Sequence, residues 1–241
     1  HLCHQLLRAG SMLFKLPPGL EQRDSWRLYL RGSCGEYGDS PPHRNPAGRT
    51  DHRGTLQPFL SVTSSTTVEV TMASRDIKDL RPDVMEKAEN LLTECQHQQL
   101  DILIYRTLSS LEEQARLFCR GRTSAEIEAV AARLEREYNR PDVSAVLLNV
   151  EPQNGARVTN AAPGMSLHNY GLALDAVPLR DGKPVWGVKE EEDIAIWHRY
   201  GQAAEKVGFE WGGRWTRFRD MPHIQEPGVR WQELIRDYEF V

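Results

Sequence analysis

The chain has 241 residues, of which 39% are hydrophobic and 27% are charged, and its formal net charge is −4. This length allows one or two domains with a sizeable core. The negative charge balance argues against a nucleic-acid partner. No apolar run approaches the roughly 20 residues that cross a bilayer, and Arg8 and Gly10 interrupt the first apolar stretch. We therefore expect no membrane insertion and no signal peptide.

The first 71 residues differ from the rest of the chain. Runs such as RGSCGEYGDSPPHRNPAGRTDHRG show neither helical nor strand periodicity. We expect residues 1–71 to form an irregular or disordered extension of unknown role, and residues 72–241 to form the folded domain. The chain begins with His1, and Met72 directly precedes the patterned region. Whether residues 1–71 belong to the native protein is therefore left open.

From Met72 onward, helical and strand patterns follow one another. Amphipathic spacing predicts helices over residues 84–99, 111–121, 124–140, 190–208 and 229–240. Short β-prone runs predict strands over residues 100–106, 143–150 and 170–179, with a further short strand at the end of the turn-rich stretch 209–225. These elements do not alternate regularly enough for a doubly wound sheet. We predict an α+β fold with a small, mainly antiparallel sheet flanked by helices.

Asp175 is the strongest local anomaly of the sequence. Its carboxylate lies within the apolar run LALDAV (residues 172–177), where a charge buried alone would cost several kcal/mol. His168 precedes it in the loop segment SLHNYG, and His223 follows in the segment DMPHIQ. Two histidines and one carboxylate complete a catalytic zinc set, in which the fourth position is left to water. The sequence therefore indicates His168, Asp175 and His223 as candidate metal ligands.

Asp220 and Arg106 are the candidates for catalysis beside such a metal. Asp220 precedes His223 with the rigid Pro222 between them, so we expect its carboxylate beside the metal, as the base that takes a proton from the attacking water. Arg106 ends a predicted strand, and its planar guanidinium suits an oxyanion or a substrate carboxylate.

Each of these residues also has a purely structural interpretation. His168 can be a core or loop histidine, Asp175 a paired buried acid, and Asp220 with His223 an ordinary turn pair. Arg106 can be a salt-bridged strand end. Because His-x6-Asp alone is a loose pattern, spacing leaves the metal site and the structural interpretation both open.

Three motifs resemble those of a known peptidase family. SLHNYGLALD, residues 166–175, resembles the S-x-H-x-x-G-x-A-x-D motif of the M15 metallopeptidases, which include D-alanyl-D-alanine carboxypeptidases. GFEWGGRW followed by DMPHIQ, within residues 208–225, is similar to the second half of the phage L-alanyl-D-glutamate endopeptidase endolysins of that family. YRT followed by EEQARLFCRGRT, within residues 105–123, resembles their N-terminal block. The order and spacing of these motifs make the resemblance specific over about residues 74–225.

The resemblance implies a role for each matching position. It implies that the three ligand candidates bind Zn²⁺, that Asp220 is the general base and that Arg106 contacts substrate or transition state. Ser166 matches the serine of the motif, and we expect it to support the site. The implied fold is a small α+β domain with an antiparallel sheet, so residues 72–241 are expected to be the zinc peptidase domain.

The implied substrate is the peptide stem of peptidoglycan. We expect an endolysin that hydrolyses the L-Ala-D-Glu bond, and the alternative is a D,D-carboxypeptidase or dipeptidase acting on D-Ala-D-Ala. We expect a monomer that is made in the host cytoplasm and reaches the cell wall after a separate partner permeabilises the membrane. Two non-enzymatic alternatives also stay open: a zinc-binding recognition domain, and a metal-free cluster of hydrogen-bonded side chains.

Overall fold

The structure is a computed structural model that describes residues 73–240, so the predicted extension 1–71 and Met72 lie outside the described residues. The helices are α1 (Pro82–His97), α2 (Leu111–Cys119), α3 (Ser124–Tyr138), α4 (Pro141–Leu148), α5 (Glu191–Lys206) and α6 (Trp231–Leu234). The strands are β1 (Ile102–Arg106), β2 (Ala173–Arg180), β3 (Lys183–Pro184), β4 (Glu210–Trp211) and β5 (His223–Gln225). No helix within residues 73–240 is long and apolar enough to cross a membrane.

Local sequence explains where several helices begin. Pro82 occupies the first turn of α1, where a missing N–H is tolerated. Ser110 caps α2 by accepting a hydrogen bond from the backbone N–H of Glu113. Thr123 and Glu126 form a reciprocal capping box at the start of α3. These caps fix the helix starts close to the positions that the sequence predicts.

The prediction of a strand over residues 143–150 is wrong, because this segment forms α4. Pro141 starts the helix, and Val143, Ser144 and Leu147 lie on its buried face. The apolar run is as compatible with a short buried helix as with a strand, and packing against α2 and α3 decides the outcome.

The last predicted helix, over residues 229–240, is reduced to the single turn of α6. The Arg140 guanidinium donates to the backbone carbonyl oxygens of Ile235 and Tyr238. These contacts satisfy the carbonyls that follow the turn, and the chain leaves the helix there. The Phe240 ring then packs against the Tyr170 ring, with 5.3 Å between ring centroids.

The sheet has the strand order β1, β2, β5, β4, and β3 pairs with the end of β2. All of these pairs are antiparallel, which confirms the predicted α+β class with a small antiparallel sheet. The register places Arg106 opposite Asp175 on one side and His223 opposite Asp175 on the other. Residues directly opposite one another point to the same face of a sheet, so this row brings together side chains that are far apart in sequence.

The described residues form two hydrophobic cores. One is formed by the sheet with α1 and α5, and its largest fully buried side chains include Trp197, Tyr200 and Trp211. The other is formed mainly by α2, α3 and α4, and it includes the buried side chains of Phe118 and Leu134. The turn that carries His168 lies in the 3₁₀ helix Leu167–Tyr170, directly before β2.

Candidate metal centre and catalytic site

Three side chains meet around Asp175, which lies between Arg106 and His223 in the sheet register. They are His168, Asp175 and His223, here called the metal-ligand cluster. Asp175 Oδ1 lies 3.1 Å from His168 Nε2 and 3.0 Å from His223 Nδ1. The two imidazole nitrogens are 3.3 Å apart. The residues are 2%, 8% and 9% exposed, respectively. Three metal-binding side chains therefore point their ligand atoms at one buried point.

Each histidine of the cluster uses its second ring nitrogen to hold its orientation. His168 Nδ1 lies 2.8 Å from the backbone carbonyl oxygen of Thr107, to which it donates. His223 Nε2 lies 3.1 Å from Gln225 Oε1 and donates to it. These hydrogen bonds direct His168 Nε2 and His223 Nδ1 towards the shared point, as is typical of ligating histidines.

The donor set of the cluster fits a zinc ion. Tetrahedral ligand atoms at about 2.0 to 2.1 Å from zinc lie about 3.3 to 3.4 Å from one another. The spacings in the cluster, 3.0 to 3.3 Å, are close to this value. Two imidazoles and one carboxylate also match the usual ligands of catalytic zinc sites, which keep an open fourth position.

The charges in the cluster favour cation binding. Burial would raise the pKa of Asp175, but the charge and hydrogen bonds of His168 and His223 outweigh it and hold that pKa well below its usual range. Burial lowers the pKa of His168. The pKa of His223 is raised instead, because its hydrogen bond to Asp175 and the charge of that residue outweigh its burial. These shifts favour the ionised form of Asp175 and the neutral form of His168, and a cation bound here would compete with protons for His223.

Arg106 lies beside the cluster, and its side chain is 14% exposed. Its Nε donates to Ser109 Oγ at 2.9 Å, and its Nη2 donates to Gln114 Oε1 at 2.8 Å. Its Nη1 lies 3.9 Å from Asp175 Oδ2, which is an ion-pair distance and too long for a hydrogen bond. The structure thus places the predicted arginine at the predicted site.

Asp220 lies on the exposed loop between β4 and β5, residues 212–222, here called the base loop. Its backbone N–H donates to the carbonyl oxygen of Gly212 at 3.1 Å. Partial removal of its carboxyl from solvent and the negative charge of Asp175 raise the pKa of Asp220 to about 6, against the opposing charges of His223 and Arg106. These interactions place Asp220 within electrostatic reach of the cluster, with a pKa suited to a general base near neutral pH.

The base loop is held by contacts on its inner side. Gly212, the first residue of the loop, packs so closely against the other end of the loop that a Cβ there would lie 2.6 Å from the carbonyl oxygen of Asp220 and 3.2 Å from that of His223. The buried indole of Trp211 donates from Nε1 to the carbonyl oxygen of Met221 at 2.8 Å. The Trp215 ring packs against the imidazole of His223, with 5.3 Å between ring centroids. Both tryptophans therefore support the site, one from the core and one at its rim.

Ser166 begins the 3₁₀ helix that carries His168. Its backbone carbonyl oxygen accepts a hydrogen bond from the N–H of Asn169 at 3.0 Å. Its hydroxyl makes no hydrogen bond with any residue of the 73–240 range. The supporting role predicted for Ser166 therefore rests on its backbone in this structure, and a role for the hydroxyl stays a prediction.

Sequence reasoning missed the residues that orient the site. Gln225 follows His223 by two positions in the same strand, so strand periodicity would have placed both side chains on one face. Gln225 also donates from Nε2 to Glu210 Oε2 at 3.3 Å, and Glu210 Oε1 accepts from Trp215 Nε1 at 2.6 Å. Ser109 and Gln114 follow Arg106 by three and eight residues, and Gln114 lies in the EEQARLFCRGRT motif, but residue types alone do not show that both side chains accept from its guanidinium.

This arrangement, with a buried three-ligand cluster beside a carboxylate and an arginine, is that of a metal-dependent hydrolase. A family model described as D-alanyl-D-alanine carboxypeptidase, of the M15 peptidases, matches residues 159–226. The peptidoglycan L-alanyl-D-glutamate endopeptidase CwlK of Bacillus subtilis (strain 168) is 30% identical over 151 residues, which are 61% of this chain and 73% of that protein. The L-alanyl-D-glutamate peptidase of Listeria phage A118 is 26% identical over 151 residues, covering 62% of this chain and 39% of the phage protein.

Several solved structures resemble the chain, two of which are described here. The L-Ala D-Glu endopeptidase ChiX of Serratia marcescens has a TM-score of 0.35 and 16% identity, over 67% of this chain and 93% of that one. A Zn(II) complex of a mutant of the vancomycin resistance D,D-pentapeptidase VanY has a TM-score of 0.36 and 13% identity, over 65% and 75% of the two chains. The match to CwlK carries the assignment: the chain belongs to the M15 family of peptidases, which confirms the resemblance seen in the sequence motifs.

Proposed function

We propose that this protein is a zinc-dependent peptidoglycan endopeptidase that hydrolyses the L-Ala-D-Glu bond of the stem peptide. The observation that carries the proposal is the metal-ligand cluster, whose three ligand atoms lie 3.0 to 3.3 Å apart beside Asp220 and Arg106. The names of the Bacillus and phage relatives support the choice of bond.

His168, Asp175 and His223 would hold the zinc ion. Zinc bound there supplies Lewis acidity and lowers the pKa of a bound water towards about 7. The convergence of three buried ligand atoms on one point supports this assignment. The hydrogen bonds from the histidines to Thr107 and Gln225 keep both rings aimed at the ion.

Asp220 and Arg106 would act on the substrate from the rim of the cluster. Asp220 accepts a proton from the water that attacks the peptide carbonyl carbon, and then returns it to the departing amine. Arg106 donates from its guanidinium to the carbonyl oxygen as negative charge develops on that atom. Arg106 Nη1 lies 3.9 Å from Asp175 Oδ2, and the charges of Asp175 and Arg106 both act on Asp220.

Digestion of purified muropeptides tests the bond that is cut. We expect a new N-terminal D-Glu residue, detected by mass spectrometry after labelling of free amines. Metal removal should stop its formation, and added Zn²⁺ should restore it. Digestion at another bond only would contradict the proposed specificity, and an inert but zinc-loaded protein would favour a recognition domain.

A second candidate is a D,D-carboxypeptidase or dipeptidase that acts on D-Ala-D-Ala. The description of the matching family model favours it, and the same metal-ligand cluster would serve it. This activity would release free D-alanine or the dipeptide from pentapeptide stems and would create no N-terminal D-Glu. The same digestion therefore separates the two candidates by product.

An endolysin role is the last part of the proposal, with synthesis in the host cytoplasm and access to the wall after membrane permeabilisation. The similarity to the Listeria phage peptidase supports it. We expect that cells producing the full chain lyse when a membrane-permeabilising protein is co-expressed, and that they stay intact without it. Lysis without permeabilisation would contradict this route to the wall.

A further inference from the structure

The guanidinium of Arg106 is held on two of its three nitrogens. Nε donates to Ser109 Oγ at 2.9 Å and Nη2 donates to Gln114 Oε1 at 2.8 Å. Nη1 donates to no residue within the described 73–240 range, and its nearest charged partner is Asp175 Oδ2 at 3.9 Å. One nitrogen of the fork is therefore left to donate to a bound substrate.

The amide of Gln114, and not only the size of its side chain, suits it to accept from Arg106 Nη2. The residue is 1% exposed, and its Nε2 donates to the carbonyl oxygen of Ala161 at 2.7 Å. That hydrogen bond fixes the amide so that Oε1 faces Arg106. A rotated amide would place an N–H against the guanidinium and an oxygen against the Ala161 carbonyl, which leaves both contacts unsatisfied.

Ser109 connects the same guanidinium to the turn that carries a metal ligand. Ser109 is 2% exposed, and its backbone N–H donates to the carbonyl oxygen of His168 at 3.1 Å. Its own carbonyl oxygen accepts from Asn169 Nδ2 at 2.9 Å. Ser109 therefore links the Arg106 side chain to the backbone of His168. Gln114 links it to Ala161, in the loop before His168.

We propose that Gln114 and Ser109 are positioning residues that hold Arg106 so that its Nη1 faces the reacting carbonyl. This inference rests on the role given to Arg106 in the proposed function. An unrestrained arginine loses rotamer freedom when it binds substrate, whereas a guanidinium fixed beforehand does not. The two residues would therefore contribute to the rate of the reaction without touching the substrate.

The test compares Gln114→Leu and Ser109→Ala with Ser144→Ala. Ser144 is a matched control, because it is also fully buried and its hydroxyl donates to Glu135 Oε1 at 2.7 Å within the helical core, away from Arg106. Zinc content, melting temperature, kcat and KM are measured on the full chain with a muropeptide substrate. We expect Gln114→Leu and Ser109→Ala to keep zinc and to lower kcat by about 10- to 100-fold with a smaller change in KM. Ser144→Ala should lower the melting temperature and leave kcat unchanged.

A double variant separates positioning from general stabilisation. Gln114→Leu should have no further effect on kcat in an Arg106→Ala background, because the group that it positions is gone. Guanidinium ion at millimolar concentration should partly restore Arg106→Ala, and it should fail to restore the Arg106→Ala and Gln114→Leu double variant, which lacks the amide that would hold the ion.

Two results would overturn the inference. One is an additive loss of kcat in the double variant, and the other is equal guanidinium rescue of both backgrounds. A wild-type protein that releases no product from muropeptides would instead refute the proposed function. An active wild type with an unchanged Arg106→Ala variant would remove the role of Arg106 and, with it, the role of its positioning residues.

Discussion

The metal-ligand cluster and the base loop are close neighbours, but different contacts hold them in place. The cluster is buried, its register is set by paired strands, and both histidines are oriented by hydrogen bonds to fixed acceptors. The base loop is largely exposed, and its position depends on the close approach of Gly212 and on the indole of Trp211. Metal binding and proton transfer are therefore expected to be separable by mutation.

Removal of a ligand from the cluster should have the largest effect. His168→Ala should reduce zinc content to background and abolish hydrolysis, since a catalytic zinc site needs its three protein ligands. Elemental analysis of the purified protein measures the metal, and muropeptide digestion measures the activity. His97→Ala is the matched control, because His97 is exposed at the end of α1, and it should keep both. Stoichiometric zinc in His168→Ala would contradict the assignment of the ligand.

Removal of the base should give a large loss of rate without loss of metal. Asp220→Asn keeps the size of the side chain and removes its charge, so we expect kcat to fall by about 10²- to 10⁴-fold while zinc content stays unchanged. Steady-state kinetics and elemental analysis of the same preparation measure the two effects. An active Asp220→Asn enzyme would count against this residue as the base.

Displacement of the base loop should cost less than removal of its carboxylate. Gly212→Ala places a Cβ 2.6 Å from the Asp220 carbonyl oxygen, so the loop must shift. A misplacement of about 1 Å can cost roughly 10²-fold in rate, and we expect a loss of that order with zinc retained. Gly182→Ala is the control: its φ is +72° and a Cβ there would meet no other atom within 4 Å, so it should cost about 1 to 2 kcal/mol of stability and leave kcat unchanged. Equal kcat values for the two variants would show that the loop position is not critical.

Loss of an orienting hydrogen bond should weaken the cluster without destroying it. Gln225→Leu removes the acceptor for His223 Nε2 and the link to Glu210. Partners of this kind typically account for about 10- to 100-fold in metal affinity, and we expect a loss in this range. Competition with a calibrated zinc chelator measures it. At saturating zinc the variant should recover most of its activity, and failure to recover would indicate a second role for Gln225.

The dependence of kcat/KM on pH should report the protonation of Asp220. Near neutral pH, we expect this effect on activity to be smaller than the effects of the substitutions above. Its pKa is raised to about 6, and a bound cation would lower it, so we expect an acid limb of kcat/KM with an apparent pKa between the ordinary value of about 3.8 and about 6. Below that pKa the carboxyl is protonated and cannot accept a proton, so activity falls about tenfold for each pH unit. The residual activity of Asp220→Asn should lack this limb. A persistent limb in that variant would assign it to another group.

Most of the elements and the members of the candidate site were predictable from the sequence. Amphipathic spacing and caps located α1, α2, α3 and α5, and the buried charge of Asp175 pointed to a partnered site. The segment 143–150 was assigned wrongly, because an eight-residue apolar run carries no signal that separates a buried helix from a strand. Predicted roles for individual site residues stay predictions until variants are measured.

Residue types and motifs were enough to indicate the chemistry available to this protein: two histidines and an aspartate in recognisable motifs, with an acid and an arginine at fixed distances along the chain. How these side chains meet depends on the folded arrangement of strands and turns. The sheet register sets Arg106, Asp175 and His223 in one row, and the turn before β2 adds His168. The carbonyl oxygens that hold His168 and Gln114, those of Thr107 and Ala161, are reached by hydrogen bonds between distant segments, which residue types and local spacing do not encode.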